Sequence, residues 1–85
     1  MSRVHQPFEE SIEVLAYSGY RGEETPTAVV LRGRRIEVIE ILEQWIEEKS
    51  EDRSRRRFFK IKGKDGTFHL IYYDENLTEW FHAKL

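Results

Sequence analysis

Cysteine is absent from this 85-residue chain, which excludes a disulfide framework and every cysteine-ligated zinc site. Proline occurs twice and glycine five times, so turns are few and each cluster of these residues marks one. No apolar run approaches the roughly 18 residues of a membrane-spanning helix, and the first residues lack the basic-then-apolar order of a secretory leader. A cytoplasmic setting is therefore expected. An excess of one charge sign is lacking too: 35% of the residues are charged, yet the net charge is −2. That balance argues against general polyanion binding and leaves room for local patches. What the chain has in quantity is aromatic residues: two Trp, four Tyr and five Phe. Most lie in the last third, so an aromatic and lopsided core is expected of a chain near the lower size limit for a single-core domain.

The strongest local signal is Asp65-Gly66, which separates RRRFFKIKG from TFHLIYY. A type I′ turn centred there sets Ile61 opposite Leu70, Phe59 opposite Tyr72 and Phe58 opposite Tyr73. Phe59, Ile61, Phe68, Leu70 and Tyr72 would then share one apolar face. Upstream, Ile12, Val14 and Ala16 alternate with Glu13, Leu15 and Tyr17, the two-residue period of a strand. Thr27 to Leu31 is rich in β-branched residues, and Gly33-Arg34 fits a type II′ turn that places Leu31 opposite Ile36 and Val29 opposite Val38.

Residues 36–49 support two readings. Val38, Ile41, Leu42, Trp45 and Ile46 stand at helical spacing, with glutamates opposite. A strand with a bulge near Ile39 and Glu40 would also bring Val38 and Ile41 to one side. The bulged strand is preferred, because the chain enters as the return arm of a hairpin with no N-cap residue or turn before it. A short helix in 38–49 stays as the alternative, and under either reading Trp45 is a core residue. A loop at Asp74 to Thr78 and a closing strand through Trp80 and His82 complete the pattern. The expected fold is mainly β: about six strands in meander order, as a small bent antiparallel sheet or partly open barrel. Residues 1–10 form a loose lead-in and 11–85 one domain.

Catalytic signals are weak. His5, His69 and His82 have no second ligand at close spacing, and His69 is expected opposite Lys62 on the wetter face, with His82 as a near neighbour across the sheet. An enzyme would need His69 and His82 together beside a carboxylate such as Asp74 or Glu75. Ser18-Gly19 lacks the context of a nucleophile elbow. No catalytic residue, metal or cofactor is expected.

Two stretches could bind. Arg53, Arg55, Arg56 and Arg57 run into Lys60, Lys62 and Lys64 with Phe58 interleaved, a footing on which small barrels hold single-stranded nucleic acid. Phe58 and Tyr73 would stack on bases. The competing reading, weighted ahead, lays this basic strand beside the acidic run Glu37, Glu40, Glu43, Glu47, Glu48, Glu51 and Asp52 and neutralises it. The loop from Tyr17 to Glu24 carries Tyr17, Tyr20 and Arg21, residue types that anchor protein interfaces, or that could fold back over an open barrel end. The function adopted is a non-enzymatic module that contacts a protein partner through Tyr17, Tyr20 and Arg21. Single-stranded nucleic-acid binding through Arg55, Arg56, Arg57, Phe58, Lys60, Lys62 and Tyr73 is the alternative. An exposed strand edge also leaves room for a homodimer.

The succession Ser18-Gly19-Tyr20-Arg21, Pro26 before a valine-rich strand, Arg32-Gly33-Arg34-Arg35, Val38, Ile41-Leu42, Trp45, Arg57-Phe58-Phe59-Lys60-Ile61, Asp65-Gly66, Leu70-Ile71-Tyr72-Tyr73-Asp74-Glu75 and Trp80 resembles a family of short bacterial proteins of uncharacterised function. Related segments resemble C-terminal appendages of bacterial proteins similar to Y-family translesion polymerases. The resemblance spans about Glu10 to Leu85 and rests on turns, strands and core aromatics. It implies a mainly β accessory module, linked to DNA damage tolerance where fused to a polymerase-like partner, and it brings no catalytic residues.

Overall fold

The computed structural model describes residues 10–18, 24–48 and 54–83. Its regular elements are six strands: β1 (Glu10–Ser18), β2 (Glu24–Leu31), β3 (Arg34–Glu48), β4 (Arg55–Gly63), β5 (Phe68–Asp74) and β6 (Glu79–Ala83). Neighbours in sequence pair antiparallel, and β1 returns to β6, so the meander closes into a small barrel. No helix occurs among the described residues, which removes the helical alternative for 38–49, and none is long and apolar enough to cross a membrane. Of the lead-in expected at 1–10, Glu10 begins β1 and residues 1–9 lie outside the described residues.

β3 shows how a strand can imitate a helix. Its register against β4 shifts between Val38 and Glu40 and again between Ile41 and Glu43. Each bulge inserts one residue, so the inward positions recur every third residue instead of every second. Val38 and Ile41 thus both pack on the core. The inserted Ile39 and Leu42 are left 56% and 38% exposed. Trp45, expected inside, is 38% exposed and stacks on Phe58 at 5.3 Å.

The two tight turns differ from the sequence expectation, and each difference has a local cause. Between β2 and β3 the left-handed residues are Arg32 (φ 54°) and Gly33 (φ 77°), so the type I′ turn stands here. It aligns Leu31 with Arg34 and Val29 with Ile36. Between β4 and β5 only Gly66 has positive φ, at 88°, and type I′ would require it of Asp65 also. The amide of Gly66 donates to the Gly63 carbonyl at 2.9 Å and that of Gly63 to the Thr67 carbonyl at 2.8 Å. The result is a three-residue loop with a left-handed glycine at its end. Asp65 Oδ1 secures it, accepting from the Thr67 amide at 3.1 Å and the Thr67 hydroxyl at 2.6 Å.

That extra loop residue slips the register by one, so Phe58 faces Tyr72, Phe59 faces Ile71 and Ile61 faces His69. A one-residue slip sends every side chain of β5 to the other face. Ile71 therefore joins Val29, Ile36, Phe59, Ile61 and Trp80 in the interior, with Phe59 and Tyr73 against Trp80 at 5.7 and 5.2 Å. Phe58, Tyr72 and Ala83 form a second cluster on the outer face with Leu70 and Phe81. Trp45, Phe58, Tyr72 and Phe81 are register partners in turn and make one aromatic row across four strands.

Candidate functional site

The basic strand lies beside the acidic one. Glu40 faces Lys62, Glu43 faces Lys60, Glu47 faces Arg56 and Glu48 faces Arg55, so opposite charges meet across the β3–β4 ladder, the arrangement that favours pairing. Arg55 Nε sits 3.7 Å from Glu48 and 3.8 Å from Glu75. Arg56 Nε donates to Asp74 Oδ2 at 3.4 Å, and its guanidinium lies 5.3 Å from the Tyr72 ring centre. Lys62 Nζ lies 5.8 Å over Phe68. Arg57 falls on the inward side, opposite Tyr73 and Ile46. The slipped register also parts the two residues expected to stack on bases. Phe58 is buried on the outer face, whereas Tyr73 packs inward on Trp80, so the two offer no common stacking surface.

Of the residues expected at a protein contact, Tyr17 is 65% exposed at the end of β1, in register with Thr25. Tyr20 and Arg21 lie outside the described residues. A larger open feature stands on β3. Its pairing with β2 ends at Glu37, and from Ile39 onward its only ladder among the described residues is with β4. This free edge carries Ile39, Leu42, Trp45 and Ile46, all exposed in part, beside a groove of about 320 Å³ lined by Gln44, Ile46, Arg57 and Phe59 among others. Strand length is the signal that could have found it: β3 has 15 residues and β2 has 8.

At the opposite end of the barrel, the register slip turns His69 inward, opposite Ile61 and not Lys62. His82, facing Ile71 and Glu10, comes to meet it, with Nε2 3.2 Å from His69 Nδ1. The expectation of surface histidines on the wetter face is thus corrected: the two are half-buried and face inward. The neighbouring carboxylate is Asp65, not Asp74 or Glu75, and it acts through Thr67, whose hydroxyl lies 2.7 Å from His69 Nε2. A carboxylate accepts only, so the Thr67 hydroxyl donates to Asp65 and must accept from His69 Nε2–H. Burial holds both histidines below the ordinary 6.5, His69 against the pull of Asp65, and His82 with help from His69 and Arg32 against the pull of Glu10. The Thr67 hydrogen bonds hold the Asp65 carboxyl below its usual value. A cavity of about 390 Å³ opens here, with Glu10, Arg32, Arg34 and Asp65 as its charged walls. No group of three or more His, Asp or Glu side chains converges to hold a metal among the described residues.

Fold and sites together define a small closed antiparallel β-barrel with an ion-paired ribbon at one end and a histidine pair in a cleft at the other. The chain belongs to the family described as Domain of unknown function (DUF6504), whose model matches residues 1–83. No curated protein and no solved structure matches it.

Proposed function

We propose that the chain is a non-enzymatic binding module of the bacterial cytoplasm that receives an extended segment of a protein partner along the free edge of β3. The observation that carries this reading is the run from Ile39 to Glu48, which among the described residues is laddered on one side only. Unpaired strand edges recruit further strands through main-chain hydrogen bonds, while flanking pockets select side chains. The edge is acidic, with Glu40, Glu43 and Glu47 exposed. Self-pairing would set glutamate near glutamate, so the partner segment is basic, as β4 is on the other side. Tyr17, exposed near the end of β1, supplies a second contact. The resemblance to polymerase appendages supports a partner among translesion-polymerase-like proteins, and hence a role in damage tolerance.

The test is an amide-resolved NMR titration with an extended peptide of alternating Lys and Val, and with its Glu-for-Lys counterpart. Shifts and new amide protection on 39–48 for the lysine peptide alone, weakened by Ile46→Lys, are expected. Salt-sensitive binding of single-stranded DNA, abolished by joint Arg55, Arg56 and Arg57→Ala replacement with the peptide inert, would reverse the assignment in favour of nucleic acid.

A further inference from the structure

The histidine pair lies at the other end of the barrel from the proposed docking edge and does not depend on it. Three strands that are neighbours around the barrel, β5, β6 and β1, bring His69, His82 and Glu10 to one cavity. We propose that this cavity binds a single divalent transition-metal ion of the zinc class through His69 Nδ1 and His82 Nε2, with Glu10 as third ligand.

Two observations support the assignment. First, on a four-coordinate ion with metal–nitrogen bonds of ~2.0–2.1 Å, two imidazole nitrogens stand ~3.3–3.4 Å apart. The two ring nitrogens are already 3.2 Å apart, so a small outward movement admits the ion. Second, the outer hydrogen bonds are of the kind that orient a metal-ligating histidine, whose other N–H is held by an acceptor. Asp65 holds the Thr67 hydroxyl and Thr67 holds His69 Nε2–H, which leaves the lone pair of His69 on Nδ1, toward His82.

Glu10 is the register partner of His82, and such partners have Cβ atoms ~4.5–5.5 Å apart, which puts an ion on the His82 ring within reach of the glutamate side chain. Its carboxylate is not gathered with the histidines, so it closes on the ion as it binds. Arg32 and Arg34 line the same cavity and oppose a cation, and the carboxylates of Glu10 and Asp65 offset them. Without metal, His82 Nε2–H donates to His69 Nδ1. With metal, that proton moves to His82 Nδ1, a change of tautomer that releases no proton. A water molecule takes the fourth position.

The experiment titrates the tag-free protein with Zn²⁺, followed by calorimetry and by ring ¹⁵N signals of the histidines, and repeats it with Co²⁺ followed by visible absorption. One saturable site is expected, with the ring signals of His69 and His82 moving as ligated Nδ1 and Nε2. His69→Gln and His82→Gln should each abolish it. Thr67→Val should weaken it by about 10–100-fold, the usual effect of removing an outer hydrogen bond, and Glu10→Gln should weaken it without abolishing it. The ring signals of the unaltered protein decide the matter even if a variant fails to fold. No saturation by millimolar Zn²⁺, or saturation without movement of those two rings, would overturn the proposal.

Discussion

The two ends of the barrel are each organised by an aspartate next to a turn, and the two are used in opposite ways. Asp74, 4% exposed, accepts the amides of Asn76 and Leu77 at 2.9 and 3.0 Å on one oxygen and Arg56 on the other. It spends its acceptor capacity on the β5–β6 turn and on one cation, and serves the fold. Asp65 stands in solvent, accepts among the described residues only from Thr67, and through that residue sets the tautomer of a half-buried histidine. A buried carboxylate saturated with donors is a structural joint. An exposed one that orients a ring inside a cavity leaves chemistry available.

The largest expected effect separates the two aspartates. Asp74→Ala strands two amides and Arg56 and should destabilise the fold by about 3 kcal/mol, the low end for breaking a buried pair because Arg56 is partly solvated. Asp65→Ala should move the urea midpoint much less, and equal shifts would mean that the two aspartates serve the fold alike. Next comes Gly63, at the histidine end. A Cβ there would stand 2.5 Å from Ile36 Cγ2 and 2.8 Å from Asp65 Oδ1, so Gly63→Ala should cost roughly 1–3 kcal/mol as overpacking, read from the same urea curves.

A gain is expected at the other end. Thr78 holds φ 53° beside Asp74, a left-handed backbone that costs an L-residue ~1–2 kcal/mol, so Thr78→Gly should raise stability by about 1 kcal/mol in thermal unfolding. On the ribbon, Lys60→Glu would face Glu43 and should lose about 0.2–1 kcal/mol, more at low salt than at high. The subtlest effect is the pH dependence of the histidine end. Both rings have folded pKa values below their unfolded ones. Their contribution is therefore full above about 6.5 and declines as pH falls through the folded values. The thermal midpoint should drop on acidification from neutral, and a His69→Gln, His82→Gln double variant should lose that part of the slope. A further drop below about 4, from Asp65 with its lowered pKa, should remain.

The strands themselves were legible. β-branched runs, Asp65-Gly66 and the Ile39–Glu40 irregularity pointed to a six-stranded antiparallel meander, and the bulge reading of β3 accounts for its helical spacing. What was hidden depended on one loop residue. Asp65-Gly66 suits a two-residue and a three-residue turn equally well, and the choice falls to the hydrogen bonds of Thr67 with Asp65. From that choice follow the face of every residue in β5, the approach of His69 to His82, and the parting of Phe58 from Tyr73. The free edge of β3 was hidden for another reason: its signal is the difference in length between β2 and β3, 8 residues against 15, which shows only when the two strands are compared and not in either one's own pattern.

The seam between β1 and β6 is three residue pairs wide, Glu10 with His82, Ser11 with Phe81 and Ile12 with Trp80, and it joins segments from opposite ends of the chain. Closing it forms the longest loop in the molecule, an entropic penalty that the shorter hairpin loops avoid. Contacts of such sequence separation form late, so the order of events should run from hairpins to an open sheet and only then to the ring. The reverse sequence sets the mode of breathing: the seam parts first, His82 and Trp80 are the groups it uncovers, and Trp80 emission would report each opening.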